Sequence, residues 1–148
     1  MVKIKDIPRQ PTIFLTQDQR ELYYEQGYLT FPALITHSEL TELRVLVNRI
    51  VDSTRSIAES GNEIDLEKGH TVENPRLRRV TYVDDKDPHF WRLCADSVIP
   101  DIAADLLGPD VRFRDMMLNF KWADGGAEVK WHQDICFYPH THLGSMQF

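Results

Sequence analysis

Glu128-Val129-Lys130-Trp131-His132-Gln133-Asp134-Ile135-Cys136-Phe137-Tyr138 is the stretch on which the reading of this chain turns. It reads as a strand. Residues two apart on a strand point to one face, with Cα atoms roughly 6.6 Å apart. His132 and Asp134 are such a pair, and an imidazole and a carboxylate at that spacing can converge on one metal ion. Cys136 shares the face, but four residues of strand put it roughly 13 Å from His132. It is expected to be a small buried apolar residue.

Immediately upstream, Asp124-Gly125-Gly126 reads as a turn and Val111 to Trp122 as a strand. Asn119 and Lys121 stand two apart on one face of that strand. Downstream, Leu143 to Phe148 looks like the start of another strand, and His140 and His142 lie beyond Pro139. The sequence favours two solvated loop histidines there. The competing reading brings one back to His132 in a zinc or nickel site.

Further out the pattern is helical. Thr16-Gln17-Asp18-Gln19 reads as a capping box, followed by a short helix through Tyr24 that stops at Gly27. Tyr28 to Phe31 reads as a short strand ended by Pro32. Thr36-His37-Ser38-Glu39 is a second capping box. Leu40, Leu43, Val47, Ile50, Val51 and Ile57 follow at helical spacing, to about Glu59 and Gly61. Residues 61–76 read as a polar loop and Arg78 to Val83 as a strand. Asp87-Pro88 is an N-cap with Pro at the first helical position. Pro100 should kink that helix or begin a second one, and Gly108-Pro109 closes the segment.

The bulk numbers exclude several classes. A chain of 148 residues is expected to be a single domain over 1–148, opened by an extended arm over 1–15. A net charge of −6 argues against nucleic acid and anionic membranes as partners. No stretch approaches the ~18 apolar residues of a transmembrane helix. Lys3 and Lys5 are not followed by an apolar run, so a cytoplasmic location is expected. Cys94 and Cys136 fit no disulfide or CxxC framework. Arg76, Arg78 and Arg79 form a basic cluster which, beside Asp84, Asp85 and Asp87, reads as an ordinary charged face.

Four stretches resemble the phytanoyl-CoA hydroxylase (PhyH) family of Fe(II)/2-oxoglutarate-dependent oxygenases. Glu21-Leu22-Tyr23-Tyr24-Glu25-Gln26-Gly27-Tyr28-Leu29 is similar to its opening helix and strand, and Leu34-Ile35-Thr36-His37-Ser38-Glu39-Leu40 to its next helix entry. Ala104 to Val111 is similar to its Leu-Leu-Gly-Pro segment. Asn119-Phe120-Lys121, then Trp131-His132-Gln133-Asp134 and Tyr138, is the strongest part. The resemblance implies an α+β fold, with N-terminal helices packed on part of a double-stranded β-helix, or jelly roll. It implies Fe(II), 2-oxoglutarate and O2, with His132 and Asp134 as two ligands of a 2-His-1-carboxylate triad. Lys121 or Asn119 would contact 2-oxoglutarate, and Trp131 and Gln133 would pack around the site. The substrate would be a small organic molecule or its carrier-bound ester. An aspartate at 134 argues against halogenation, since halogenases of this type carry a small residue there.

The family's distal His and its 2-oxoglutarate-binding Arg lie well downstream of the His-x-Asp, and Phe148 is only 14 residues beyond Asp134. The chain is therefore expected to be the N-terminal part of such a domain, inactive alone, with an exposed sheet edge open to self-association. Two rivals stand beside this reading. One is a catalytically inactive truncated remnant acting as an interaction domain. The other is a small cupin-like metal-binding protein using His132, Asp134 and His140 or His142.

Overall fold

The computed structural model describes residues 11–137 and 144–148. Its elements run α1 (Gln17–Gln26), α2 (His37–Ser53), β1 (Ile64–Leu66), β2 (Leu77–Thr81), α3 (Pro88–Ala95), α4 (Ile99–Leu107) and β3 (Met117–Asn119), with single 3-10 turns at Val83–Asp85 and Asp134–Cys136. This is an α+β arrangement of four helices and one small antiparallel sheet. Residues 11–36, 92–113 and 144–148 form one compact unit, and residues 37–91 and 114–137 another.

In the first unit α1 starts where the capping box puts it. Thr16 Oγ1 accepts from Gln19 N–H, and Gln19 Oε1 accepts from Thr16 N–H. Gly27, at φ 85°, ends the helix in the left-handed conformation that costs glycine least. Pro100 begins a second helix, α4, and Ile102 and Leu106 from it bury against Leu15. Full burial of each such side chain contributes about 1.5–3 kcal/mol. Tyr23, Leu29, Phe31, Leu34, Val98 and Met146 pack around them.

Asp105 ties this unit together. Its carboxylate is buried and accepts the backbone N–H groups of Ile13, Phe14 and Leu15, each at 2.8 Å. Burial alone would raise its pKa. The three N–H donors and the buried Arg20 outweigh that and hold the carboxyl below the usual range.

In the second unit the sheet order is β1-β2-β3, with Ile64 opposite Val80, Arg79 opposite Asn119 and Val80 opposite Leu118. A register irregularity interrupts β1 between Asp65 and Leu66. One face is covered. Leu46 of α2, Leu77 and Val80 of β2, Val83 and Phe90 form its core, with Leu43, Val47, Ile50, Val51, Leu118 and Phe120 against them. Asp87 accepts His89 N–H at 2.9 Å and so caps α3 as its Asp-Pro signature predicts.

Several expectations are corrected. Tyr28–Phe31 is not a strand. Leu29 and Phe31 are half-buried and Tyr28 and Thr30 exposed, so the alternation reports a segment lying along a core without a pairing partner. α2 ends at Ser53, not near Glu59. Ser53 and Thr54 hydroxyls donate to Ile50 O and Val51 O, taking last-turn carbonyls that further helix would need. The supposed loop 61–76 contains β1. The strand read over 111–122 is only Met117–Asn119. No strand runs over 128–137 or 144–148; Tyr138 and Leu143, where those two readings end and begin, lie outside the described residues, as do residues 1–10 of the arm read over 1–15. Among the described residues no helix is long and apolar enough to cross a membrane.

Candidate functional site

Short of full strand length, β3 still sets an alternation that continues past its end. Leu118, Phe120 and Trp122 are half-buried, while Met117, Asn119 and Lys121 are exposed. Phe120 and Trp122 stack with ring centroids 6.1 Å apart. Asn119 and Lys121 therefore lie on the side of the sheet away from α2, as their spacing predicts. Asn119 stands opposite Arg79. Lys121 Nζ donates to Ala127 O, which still leaves it further N–H donors.

His132 and Asp134 are not on a strand. Gln133 between them is nevertheless extended, at φ −113° and ψ 128°, and Asp134 opens a 3-10 turn. One extended residue suffices to bring the two side chains to one side, and His132 Nε2 lies 3.2 Å from Asp134 Oδ1. On the other side of the ring, His132 Nδ1 lies 2.6 Å from Lys130 O. A carbonyl can only accept, so Nδ1 carries a proton, and in the neutral form of the ring the lone pair is at Nε2. A lone pair facing a carboxylate at this distance needs a cation between them, either a proton or a metal ion.

The geometry fits a metal ion. Two ligands at a right angle with bonds of about 2.1 Å stand about 3.0 Å apart. A ligating histidine ordinarily donates its other N–H to a carbonyl or carboxylate, the role Lys130 O fills here. Both side chains are roughly a third to two-fifths exposed, so an ion could reach them. The ring of Phe137 meets the His132 ring edge-on at 5.5 Å and restricts its rotation. Among the described residues no third His, Cys, Asp or Glu joins the pair. His140 and His142 lie outside the described residues. Cys136 is exposed, not buried as the sequence suggests, because the 3-10 turn breaks the strand alternation on which that expectation rests.

Trp131 is fully exposed and packs on nothing described, contrary to the packing role its position implies. The basic cluster divides. Arg78 and Arg79 both approach Asp65 Oδ2, at 3.4 and 3.9 Å, whereas Arg76 pairs with Asp124 at 2.5 Å. His70 is a structural group: Arg76 N–H donates to its Nδ1 at 2.9 Å, closer than the 3.2 Å to Arg76 O. Nε2 then bears the proton, buried without a hydrogen-bond partner among the described residues.

Sequence reasoning missed Glu67. Its Oε2 accepts Ala127 N–H at 2.8 Å. That bond, then the one from Lys68 N–H, and then nearby Arg78 and Lys121, hold its carboxyl below the usual range against a smaller opposing effect of burial. Nothing in the spacing of residues 67 and 127 announces the contact.

A family model described as Phytanoyl-CoA dioxygenase (PhyH) matches residues 23–147. The chain is 30% identical to a probable alpha-ketoglutarate-dependent hypophosphite dioxygenase of Stutzerimonas stutzeri, over 85% of this chain and 43% of that protein. It is 28% identical to an L-proline trans-4-hydroxylase of Streptomyces griseoviridis, over 83% of this chain and 42% of that protein. An ectoine dioxygenase of Stutzerimonas stutzeri (strain A1501) is 28% identical over 78% of this chain and 36% of its own length. The chain spans less than half the length of these curated relatives.

Proposed function

We propose, since this chain belongs to the phytanoyl-CoA dioxygenase (PhyH) family, that it supplies part of the active site of an Fe(II)/2-oxoglutarate-dependent dioxygenase of the hydroxylase type. The observation that carries the reading is the 3.2 Å approach of His132 Nε2 to Asp134 Oδ1, with the tautomer set by Lys130 O. These two side chains would hold Fe(II), and the third protein ligand of the triad would come from elsewhere. Bound iron with 2-oxoglutarate and O2 supplies the oxidising power for an unactivated C–H bond.

The protein's own part is orientation. Lys130 O keeps the imidazole proton on the far side of the ring, so Nε2 faces the ion. Asn119 and Lys121, on the uncovered side of the sheet, would meet the 2-oxoglutarate carboxylates with an amide and an ammonium. That polar side would form part of the inner wall of a double-stranded β-helix, with α2 and the core on its outer side. The substrate class would be a small polar molecule, the trait shared by hypophosphite, proline and ectoine, which the relatives' names specify. β1 and β3, the two edges of the described sheet, would be the places for strand addition or self-association.

The test is 2-oxoglutarate decarboxylation together with anaerobic Fe(II) binding by the native protein and its Asp134→Ala variant. Loss of both in the variant is expected. Full activity in Asp134→Ala would sink the ligand assignment.

A further inference from the structure

The segment that bears His132 and Asp134 leaves the sheet at one clamped place. Residues 128–131 are exposed, and among the described residues they make no hydrogen bond back to the sheet. Just ahead of them, both polar groups of residue 127 are taken by charged side chains: Ala127 N–H donates to Glu67 Oε2, and Ala127 O accepts from Lys121 Nζ. Turning that peptide would strand both partners at once. The turn before it is gripped as well. Arg76 pairs with Asp124 and lies with its guanidinium carbon 5.8 Å from the centre of the Trp122 ring, while Trp122 Nε1–H donates to Leu77 O at 2.8 Å.

Glu67 and Arg76 are themselves joined, since Glu67 N–H donates to Arg76 O at 3.0 Å across the base of the β1–β2 connection. Gly125 and Gly126, at φ 137° and 134°, adopt a backbone that other residues rarely reach. They let the chain fold tightly enough for Ala127 to meet Glu67.

We infer that Glu67 and Arg76 are positioning residues for the His132–Asp134 pair. They clasp the turn at 124–127 and so fix where the metal-binding segment departs from the sheet face that carries Asn119 and Lys121. This rests on the metal reading above. Lys121 belongs to both parts, because it holds Ala127 O and stands on that face, so the clasp sets the metal ligands in register with it. The clasp touches neither the ion nor the reacting atoms. Its loss leaves the ligand set unchanged and loosens the approach of the ligands.

The test is Co(II) titration, with Co(II) standing in for Fe(II), of the wild-type protein and of Glu67→Ala, Glu67→Gln, Asp124→Ala and Asp134→Ala, with folding followed by urea denaturation. Glu67→Ala should weaken Co(II) binding about tenfold, as removal of supporting groups around a metal site does, with the cobalt absorption bands of the saturated protein unmoved. Glu67→Gln keeps an acceptor for Ala127 N–H and should restore most of the affinity, a rescue that a general loss of stability does not produce. Asp124→Ala alters a largely exposed carboxylate and should give a smaller loss. Wild-type affinity in Glu67→Ala overturns the clasp; should that variant not fold, wild-type affinity in Asp124→Ala overturns it instead. No Co(II) uptake by the wild-type protein overturns the metal reading and the clasp together. Uptake lost only in Asp134→Ala overturns the clasp alone.

Discussion

Asp105 and Asp134 are both carboxylates that organise a chain segment, and their surroundings are opposite. Asp105 is buried, and three backbone N–H groups point at it. Asp134 is partly exposed, with an imidazole nitrogen, Nε2 of His132, 3.2 Å away. Around the first, donors already supply the positive charge. At the second, an imidazole nitrogen and a carboxylate oxygen meet, and a cation between them, a proton or a metal ion, joins them. The lesson is that a carboxylate's role is read from the sign of what faces it, not from its burial alone.

Exchanging the readouts is the sharpest way to break the comparison. Asp105→Ala takes the acceptor from three backbone N–H groups, that of Leu15 buried, and a nearby charge from Arg20, and should cost about 3–5 kcal/mol of stability, measured as the shift in urea midpoint. Acid is the next lever. The folded pKa of Asp105 lies below its unfolded value near 3.9. Its stabilisation is complete above that value and is lost as pH falls through the folded pKa. The urea midpoint of the wild-type protein should therefore drop below about pH 4, and Asp105→Asn should lose part of that dependence.

A smaller effect calibrates the scale. Thr16→Ala removes the acceptor for Gln19 N–H at the start of α1 and should cost about 1 kcal/mol. Smallest of all, Asp134→Ala should change the urea midpoint by less than about 0.5 kcal/mol equivalent, as surface substitutions do, while abolishing metal binding. A large stability loss in Asp134→Ala with metal uptake intact would make it a second Asp105 and erase the distinction.

Local signals in the sequence were legible where the chain satisfies itself locally. Thr16 and Gln19 cap α1 reciprocally, Gly27 ends it, Asp87 caps α3, and Pro100 opens α4. Each of these depends on neighbours within four residues. Pairing was less legible. The alternation at Tyr28–Phe31 is real, but alternation reports burial on one side and does not supply a partner strand. β1 was invisible because three residues between Gly61 and Gly69 carry too little pattern. At the candidate site, the two-residue spacing of His132 and Asp134 was enough to foresee that they meet, since only Gln133 has to be extended. Glu67 was out of reach because its contact with Ala127 joins residues 60 apart.

His70 and His132 use their Nδ1 atoms in opposite ways. His70 spends its Nδ1 lone pair on Arg76 N–H and keeps the proton on Nε2, whereas His132 gives its Nδ1 proton to Lys130 O and turns Nε2 toward Asp134. The two rings are thus turned in opposite senses by the backbone groups they meet at Nδ1. A metal ion or an alkylating reagent would reach Nε2 of the partly exposed His132, whereas Nε2 of His70 is buried.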